Sequence, residues 1–324
     1  MQKRLLGVLI GIALLTTLCM NVLAAYADPA PSERTTDNVV TLSEVATTED
    51  STDSSSSPDA FQQAYDTLAV DTMTEPSAPA ETTGPLLIVN GVPVDNTGTA
   101  MVNDTTYISI RSIVLALDPN ASVSWSNGQL LASGNGFQLS ARPGDCYMVV
   151  NDRYLYVPDG IVLQDDATMA PIRTVCNALG ASTQWEVMTG NITVTQTGSP
   201  LVSGSSYYNS NDLYWLSRII TAESRNQPLK GKIAVGTVIM NRVESPKFPD
   251  SIYDVIFSGI QFSPVQDGSI YRDPTTEAVI AAKLVLDGAR EAGDSLFFNR
   301  NGLSSWASRN KTYITTIADH SFYR

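Results

Sequence analysis

An internal repeat with a spacing of about 60 residues is the strongest constraint on what this chain can fold into. The recurring segments are Ile88-Val89-Asn90-Gly91 with Val149-Val150-Asn151-Asp152, Ile110-Arg111 with Ile172-Arg173, and Ala121-Ser122-Val123-Ser124-Trp125 with Ala181-Ser182-Thr183-Gln184-Trp185. Each copy predicts alternating strands, a short helix over 111–117 or 173–179, and a strand that carries the tryptophan. Two copies with so long a period do not suit a stacked solenoid. We therefore expect a duplicated α+β module over residues 85–197.

Several side chains of the repeat could serve either the fold or a ligand. We expect Arg111 and Arg173 to donate structural hydrogen bonds. Trp125 and Trp185 are expected in the core rather than as platforms for carbohydrate. Two alternatives stay open for the cysteines at positions 146 and 176: they could form one disulfide in an exported protein, or the second could be a small buried apolar residue.

The acidic character of the chain is concentrated in one segment. The net charge is −13, and residues 28–84 hold twelve acids against a single base, Arg34. This segment is rich in Ser, Thr and Pro and poor in large apolar residues, so we expect a disordered tether. No basic stripe is present that could neutralise phosphates, which argues against nucleic acid as a partner.

The first 27 residues have the pattern of an export signal. Lys3 and Arg4 precede an apolar run from Leu5 to Leu18, and Ala25-Tyr26-Ala27 offers a cleavage site between small residues. The run is short for a permanent membrane span. The mature protein is therefore expected to be secreted and extracytoplasmic.

A glutamate interrupts an apolar helical stripe in the C-terminal part. Leu213, Leu216 and Ile220 recur at helical spacing, and the next position on that stripe is Glu223. Burial there would disfavour the charged form and raise the pKa, as a general acid working near neutral pH requires. The alternative is a glutamate that turns to solvent, or that pairs with a neighbouring arginine at position 218 or 225.

The surroundings of this glutamate favour a site. Pro228 is expected to end the first helix, and the apolar run Ile233–Ile239 predicts a second helix that closes with Asn241 and Arg242. Two antiparallel helices joined by a short turn would leave Glu223 at the mouth of a cleft. Further along, Asp273-Pro274 predicts the cap and first turn of another helix.

The residue inventory narrows the chemistry. The chain has a single histidine, His320, whereas a zinc hydrolase needs several metal ligands. A cysteine peptidase would need a cysteine from another domain to reach His320. A serine triad lacks the Gly-x-Ser-x-Gly elbow. Carboxylate chemistry on a glycosidic bond remains; it usually takes two acids, and Asp267 is the second candidate. No cofactor or metal is expected.

Ordered motifs continue through the last ~115 residues. They are ITAESRNQPLKGKIAVGTVIMNRV, Phe248-Pro249, Val255-Ile256, Gln261-Phe262-Ser263-Pro264-Val265, Asp267-Gly268, Phe297-Phe298-Asn299, His320 and Phe322-Tyr323. Together they resemble the spore cortex-lytic (SleB-type) cell wall hydrolases. The resemblance implies cleavage of peptidoglycan glycan strands on a small, mainly α, lysozyme-like catalytic domain over 212–324. The family usually carries Ala-Arg-Gly-Glu-Pro after its glutamate, whereas this chain has Ser224-Arg225-Asn226-Gln227-Pro228, which bears on substrate preference.

The resemblance favours a lytic transglycosylase with one acid. Glu223 would protonate the bridging oxygen, and the C6 hydroxyl of the muramic acid would attack C1 to give a 1,6-anhydro product. Candidate substrate-binding residues are Gln261, Phe262, Ser263, Asp267 and His320, of which Phe262 and His320 could equally be structural. The alternatives are a two-carboxylate muramidase that leaves reducing ends, and a non-catalytic wall-binding protein.

The repeat resembles a second family. Pro171-Ile172-Arg173, Leu179-Gly180-Ala181 and Trp185 are similar to the signature of the copper amine oxidase N-terminal-like (stalk) domain. Because residues 85–197 contain no histidine, we expect no copper site. The sequence thus predicts a monomer with a signal peptide (1–27), an acidic linker (28–84), a duplicated stalk module, a linker (198–211) and a catalytic domain. Peptidoglycan is its expected partner, and the module could contact the wall or the membrane surface.

Overall fold

The structure is a computed structural model that describes residues 86–94, 98–259 and 261–324. These residues belong to one compact unit, Pro76–Arg324. The predicted export signal and acidic linker lie outside the described residues. A search of the described helices finds none with the length and apolar character needed to cross a membrane.

The repeat module is built from short strands and two helices. In chain order these are β1 (Leu87–Val89), β2 (Val92–Val94), β3 (Thr99–Val102), β4 (Thr105–Ser109), α1 (Ile110–Leu117), β5 (Ser122–Ser126), β6 (Gln129–Gly134), β7 (Phe137–Ala141), β8 (Tyr147–Val150), β9 (Arg153–Tyr156), β10 (Val162–Gln164), β11 (Ala167–Pro171), α2 (Ile172–Ala178), β12 (Ala181–Trp185) and β13 (Ile192–Gln196). Both predicted helices are confirmed, each within one residue at its ends. Helix α1 begins at Ile110 because the Ser109 side chain caps it by accepting from the Ser112 N–H.

The two copies complete each other's sheets. The sheet orders are β12-β13-β1-β2, β10-β11-β4-β3 and β5-β6-β7-β8-β9. Strand β1 of the first copy runs parallel to β13 of the second, with Leu87 opposite Ile192. Strand β4 pairs antiparallel with β11, with Ser109 opposite Met169. The apolar faces of all three sheets therefore close over one shared core.

Two expectations about the repeated side chains are wrong. Trp125 and Trp185 are 54% and 53% exposed rather than buried. Both lie on strands at the edge of their sheets, where the side chain has a neighbouring strand on one side only. Arg111 donates to the Val123 carbonyl at 3.2 Å, as expected. Arg173 is exposed and makes no hydrogen bond within the described residues, so its predicted structural role is wrong.

Cys146 and Cys176 carry free thiols. Cys176 lies on α2 and is fully buried, and this burial raises the pKa of its thiol to about 12. Of the two alternatives, the structure shows the small buried apolar residue.

The C-terminal part is mainly helical, as expected, and it contains a small sheet that the sequence analysis missed. Its elements are α3 (Gly204–Tyr207), α4 (Ser210–Ser224), α5 (Leu229–Val243), α6 (Ile252–Phe257), α7 (Ser263–Gln266), α8 (Thr276–Leu286), β14 (Phe297–Arg300), α9 (Trp306–Asn310), β15 (Tyr313–Ile317) and β16 (His320–Tyr323). The strands form one antiparallel sheet in the order β14-β16-β15. A fold like that of lysozyme stays a prediction.

Helices α4, α5 and α8 enclose the core of this part. Leu216, Ile220, Ile233 and Ile239 are fully buried between them. Gly236 permits the close approach, because a Cβ there would lie 2.9 Å from Val285 Cγ2. The core thereby fixes the direction in which the last turn of α4 presents its side chains.

One predicted helix start is wrong. Helix α8 begins after Thr275, whose hydroxyl caps it by accepting from the Ala278 N–H, and not at Asp273-Pro274. Asp273 instead pairs with Arg218 at 3.1 Å.

The module and the C-terminal part meet in a polar interface. Arg153 Nε of β9 donates to Asp287 Oδ1 at 3.0 Å, and the Tyr208 hydroxyl also donates to this carboxylate. The Asp287 side chain is only 1% exposed. Tyr156 donates to Glu291 close by. The described part of the chain is thus packed into one unit across residues 198–211, which the sequence predicted to be a linker.

Candidate active site

Glu223 lies in the last turn of α4, next to a buried apolar stripe. Leu216 and Ile220 are fully buried, whereas Glu223 is half-buried. Among the described residues, no group donates a hydrogen bond to its carboxyl or forms an ion pair with it. Arg218 is engaged with Asp273 and lies 3.8 Å from the centroid of the Tyr214 ring. The alternative of a glutamate paired with a neighbouring arginine is therefore not observed.

The pKa of Glu223 is raised to about 7. Burial is the main cause, since it removes water from the charged form, and the negative charge of Asp267 acts in the same direction. The positive charge of Arg242 partly opposes both. Near neutral pH this carboxyl is held close to half protonation, so it can both give and take a proton.

Sequence reasoning did not single out Arg242, although its positive charge acts on Glu223. It lies near the end of α5 and is 5% exposed. Its Nε donates to the Leu296 carbonyl at 2.7 Å, and its Nη1 donates to Gln261 Oε1 at 2.8 Å. Its guanidinium carbon lies 5.1–5.6 Å from the ring centroids of three phenylalanines, Phe248, Phe262 and Phe297. Burial lowers the pKa of Arg242 to about 10, so the group stays charged at neutral pH.

The predicted binding segment 261–263 contributes differently at each position. The side-chain oxygen of Gln261, Oε1, accepts a hydrogen bond from Arg242, which leaves the side-chain NH₂ able to donate to a ligand. Ser263 is exposed at the start of α7. Phe262 is 4% exposed and packs in the core beneath Arg242. Stacking of a sugar on Phe262 therefore stays a prediction that its burial does not support.

Asp267 is a second carboxylate with the opposite electrostatic character. It is exposed, and its Oδ1 accepts from the Ser269 N–H at 2.8 Å. Hydrogen bonds from the side chain and backbone of Ser269 hold its pKa below the ordinary value. Asp267 is therefore ionised at neutral pH and adds negative potential at Glu223.

His320 lies on β16 and is 8% exposed. Its ring stands edge-on to Phe298 with 5.4 Å between centroids, and its Nδ1 is buried with no hydrogen-bond partner in the described part of the chain. Burial lowers its pKa. The residue is thus neutral and packed, and a contact with substrate stays a prediction. No cluster of three or more potential metal ligands occurs among the described residues.

Two protein families match the chain. Residues 226–323 match the family described as Cell Wall Hydrolase. The C-terminal part of the chain thus contains a cell wall hydrolase domain. Residues 88–199 match the family described as Copper amine oxidase N-terminal domain. Both resemblances carried by the sequence motifs are thereby confirmed.

Relatives of the cell wall hydrolase domain carry names that describe their activity. The spore cortex-lytic enzyme of Halalkalibacterium halodurans is 34% identical over 116 residues, which cover 36% of this chain and 35% of that protein. The spore cortex-lytic enzyme of Bacillus subtilis is 33% identical over 116 residues and is covered to 38%. A solved structure, the catalytic domain of the germination-specific lytic transglycosylase SleB from Bacillus anthracis, matches at 32% identity with a TM-score of 0.34, over 36% of this chain and 97% of that one. The chain thus spans between 35% and 46% of the length of these and the other curated relatives it matches.

The matched range of the cell wall hydrolase domain begins at residue 226, three residues after Glu223. Glu223 is therefore a candidate acid on its own features, namely its place on the apolar stripe, its burial and its raised pKa.

Proposed function

We propose that this protein cleaves the glycan strand of peptidoglycan outside the cytoplasmic membrane, with Glu223 as the general acid. The observation that carries the proposal is a half-buried carboxyl with no hydrogen-bond partner among the described residues and a pKa of about 7. The names of the matched relatives supply the substrate class. They also suggest the spore cortex as the form of peptidoglycan that is attacked.

The proposed reaction is a lytic transglycosylation that needs one acid. Glu223 gives its proton to the bridging oxygen, and the bond from that oxygen to C1 of the muramic acid breaks. The C6 hydroxyl of the same sugar then attacks C1 and passes its proton to the Glu223 carboxylate. The products are a 1,6-anhydro end and a free hydroxyl on the leaving sugar, and Glu223 is protonated again.

The surrounding charges fit this sequence of steps. Positive charge develops at C1 as the bond breaks, and the ionised Asp267 lowers the energy of that charge. Gln261 and Ser263 would hold hydroxyl or acetamido groups of the sugars. Arg242 fixes the Gln261 side chain and limits the rise in the Glu223 pKa, so the group can act first as acid and then as base.

A second candidate is a muramidase with two carboxylates. The observation that favours it is the opposite shift of two pKa values: Glu223 is raised and Asp267 is lowered, as in pairs where one group is the acid and the other the base or nucleophile. Asp267 would then activate water or attack C1, and the product would carry a reducing end.

Product analysis separates these proposals. Purified vegetative and cortex peptidoglycan are digested by the wild-type chain and by the Glu223→Gln and Asp267→Asn variants, and the soluble fragments are identified by mass spectrometry. Anhydro-muropeptides from the wild type, with none from Glu223→Gln, would support the one-acid route. Reducing ends that disappear in both variants would support the muramidase. Release of no fragment from either substrate would favour a wall-binding protein without activity.

A further inference from the structure

The repeat module contains a cleft with an exposed indole at its edge. Trp185 ends β12, is 53% exposed, and makes no ring contact or hydrogen bond through its side chain within the described residues. A single exposed tryptophan needs no functional explanation. This one, however, lines a cleft of 430 Å³, a volume within the range of about 300–1,000 Å³ that is typical of ligand sites.

Both copies of the repeat contribute to this cleft. Asp104 and Tyr107 come from the first copy, and Asp159, Arg173 and Trp185 come from the second. The pairing of β4 with β11 brings the two sets together. The cleft is therefore a product of the shared sheets and would not exist in one copy alone.

A comparison of the two copies points to a ligand role for Arg173. At the equivalent position of the first copy, the Arg111 guanidinium donates a hydrogen bond to the Val123 backbone carbonyl at 3.2 Å. Arg173 is exposed, lines the cleft, and has no hydrogen-bond or ion-pair partner in the described part of the chain. The repeated position thus carries an arginine in both copies, but only the arginine of the first copy has a structural bond, and the five N–H donors of Arg173 are available at the cleft.

The charges around the cleft restrict the ligand. Asp104 and Asp159 also line it, and Asp159 already accepts from Asn103 Nδ2 at 2.8 Å. Two carboxylates beside one arginine would repel a polyanion such as a teichoic acid. They suit a ligand with many hydroxyls, because carboxylates accept from hydroxyls and a guanidinium donates to acetamido oxygens or to an isolated carboxylate. An indole face suits the C–H face of a sugar ring.

We propose that the Trp185–Arg173 cleft is a second, non-catalytic binding site for an N-acetylated glycan strand, with Trp185 stacking on a sugar and Arg173 donating to the carbonyl oxygen of the lactyl group of a muramic acid. The choice of this glycan rests on the proposed function. Such a site would hold the strand on the same compact unit as Glu223 and raise its local concentration at the cell wall hydrolase domain.

The test measures binding without cleavage. The full chain carrying Glu223→Gln is titrated calorimetrically with a peptide-free GlcNAc-MurNAc oligosaccharide and with a GlcNAc oligomer that lacks lactyl groups. Two binding events are expected, one at each site. Adding Trp185→Ala should remove one event or weaken it at least tenfold. Adding Trp125→Ala is the matched control, because Trp125 is equally exposed in the other copy, and it should change nothing.

A second variant tests the role of the arginine. Arg173→Gln should weaken binding of the muramic acid oligosaccharide several-fold and reduce its advantage over the GlcNAc oligomer. Equal titrations with and without Trp185→Ala would overturn the proposal, as would binding of stem peptide or teichoic acid in place of glycan.

These outcomes stay separate from the proposed function. A wild-type chain that cleaves no peptidoglycan but still loses one binding event with Trp185→Ala would refute the activity and keep the site. A chain that cleaves normally, but whose glycan titration is unchanged by Trp185→Ala, would refute the site and keep the activity.

Discussion

Two hydrogen bonds join Gln227 to Asp319, which lies 92 residues further along the sequence. Gln227 Nε2 donates to Asp319 Oδ2 at 3.1 Å, and the Asp319 N–H donates to Gln227 Oε1 at 3.0 Å. The bonds tie the turn after Glu223 to the turn that precedes His320. The amide at 227 departs from the acid usual in SleB-type sequences, and here it has a defined partner, because an amide can donate and accept at once.

Changing this amide to an acid should weaken the fold. Gln227→Glu keeps the size of the side chain, but it removes the donor and sets a carboxylate beside that of Asp319. We expect a loss of roughly 1–2 kcal/mol in the free energy of unfolding near pH 7 and a smaller loss near pH 4, where the introduced glutamate begins to protonate. Denaturant titration at both pH values measures this. Gln227→Ala, which removes both bonds without adding charge, is the control and should lose less; a fully stable Gln227→Glu would contradict the role of the pair.

Removing the acid at position 223 should abolish turnover while leaving the protein folded. Glu223→Gln cannot give a proton to the bridging oxygen, so we expect a fall of about 10²–10⁴-fold in the rate of fragment release. The measurement is fragment release from purified peptidoglycan, with circular dichroism to confirm the fold. Glu244→Gln is a matched control, because Glu244 lies in the same domain, exposed and paired with Arg290 at 2.7 Å. Activity in Glu223→Gln within a few-fold of the wild type would rule out this residue as the acid.

The pH dependence of the cleavage rate should change when a charge near Glu223 is removed. The general acid must be protonated, so the rate should fall as pH rises through about 7. Asp267 raises the pKa of Glu223, so Asp267→Asn should move this fall to lower pH. Rates across the pH range, for wild type and variant, measure the shift. Asp273→Asn removes an exposed acid that pairs with Arg218 and should leave the midpoint in place; a midpoint unmoved by Asp267→Asn would show that the two carboxylates are not coupled.

Stability should also depend on the protonation of Glu223. Its pKa is about 7 in the folded chain against 4.5 as the ordinary value, so the unfolded chain ionises first as pH rises. The contribution of Glu223 to the free energy of unfolding is therefore largest below about pH 4.5. It falls by up to roughly 3 kcal/mol as the pH rises from about 4.5 to about 7. Glu223→Gln, which does not ionise, should be more stable than the wild type near pH 8 and nearly equal near pH 4. Thermal unfolding at the two pH values tests this, and a gain of equal size at both would point to a cause other than ionisation.

The interface between the module and the cell wall hydrolase domain should be sensitive to one arginine. Arg153→Ala leaves the buried Asp287 carboxylate without its cation, and removing one partner of such a pair costs about 3–5 kcal/mol. Unfolding by denaturant measures the loss. The double variant with Asp287→Asn should recover part of it, because the stranded charge is gone. Asp152→Ala breaks the exposed pair with Lys283 and serves as the control, with an expected loss below about 1 kcal/mol.

The sequence by itself determined the features that depend on local periodicity. The repeat, the two short helices of the module and the helices on either side of Pro228 follow from spacing alone, because helix and strand place side chains at fixed intervals. The same rule placed Glu223 on the buried face of α4. Motifs were sufficient to indicate the cell wall hydrolase family.

Only the tertiary structure decided the contacts between distant segments. The exchange of strands between copies, the exposure of Trp185 and the unused guanidinium of Arg173 depend on which strand lies at the edge of a sheet. In the sequence, Arg242 has the pattern of a polar residue at the end of a helix. In the structure it is buried, and its charge lowers the pKa of Glu223. Burial and electrostatic coupling arise from neighbours that are far apart in the chain, so no local pattern specifies them.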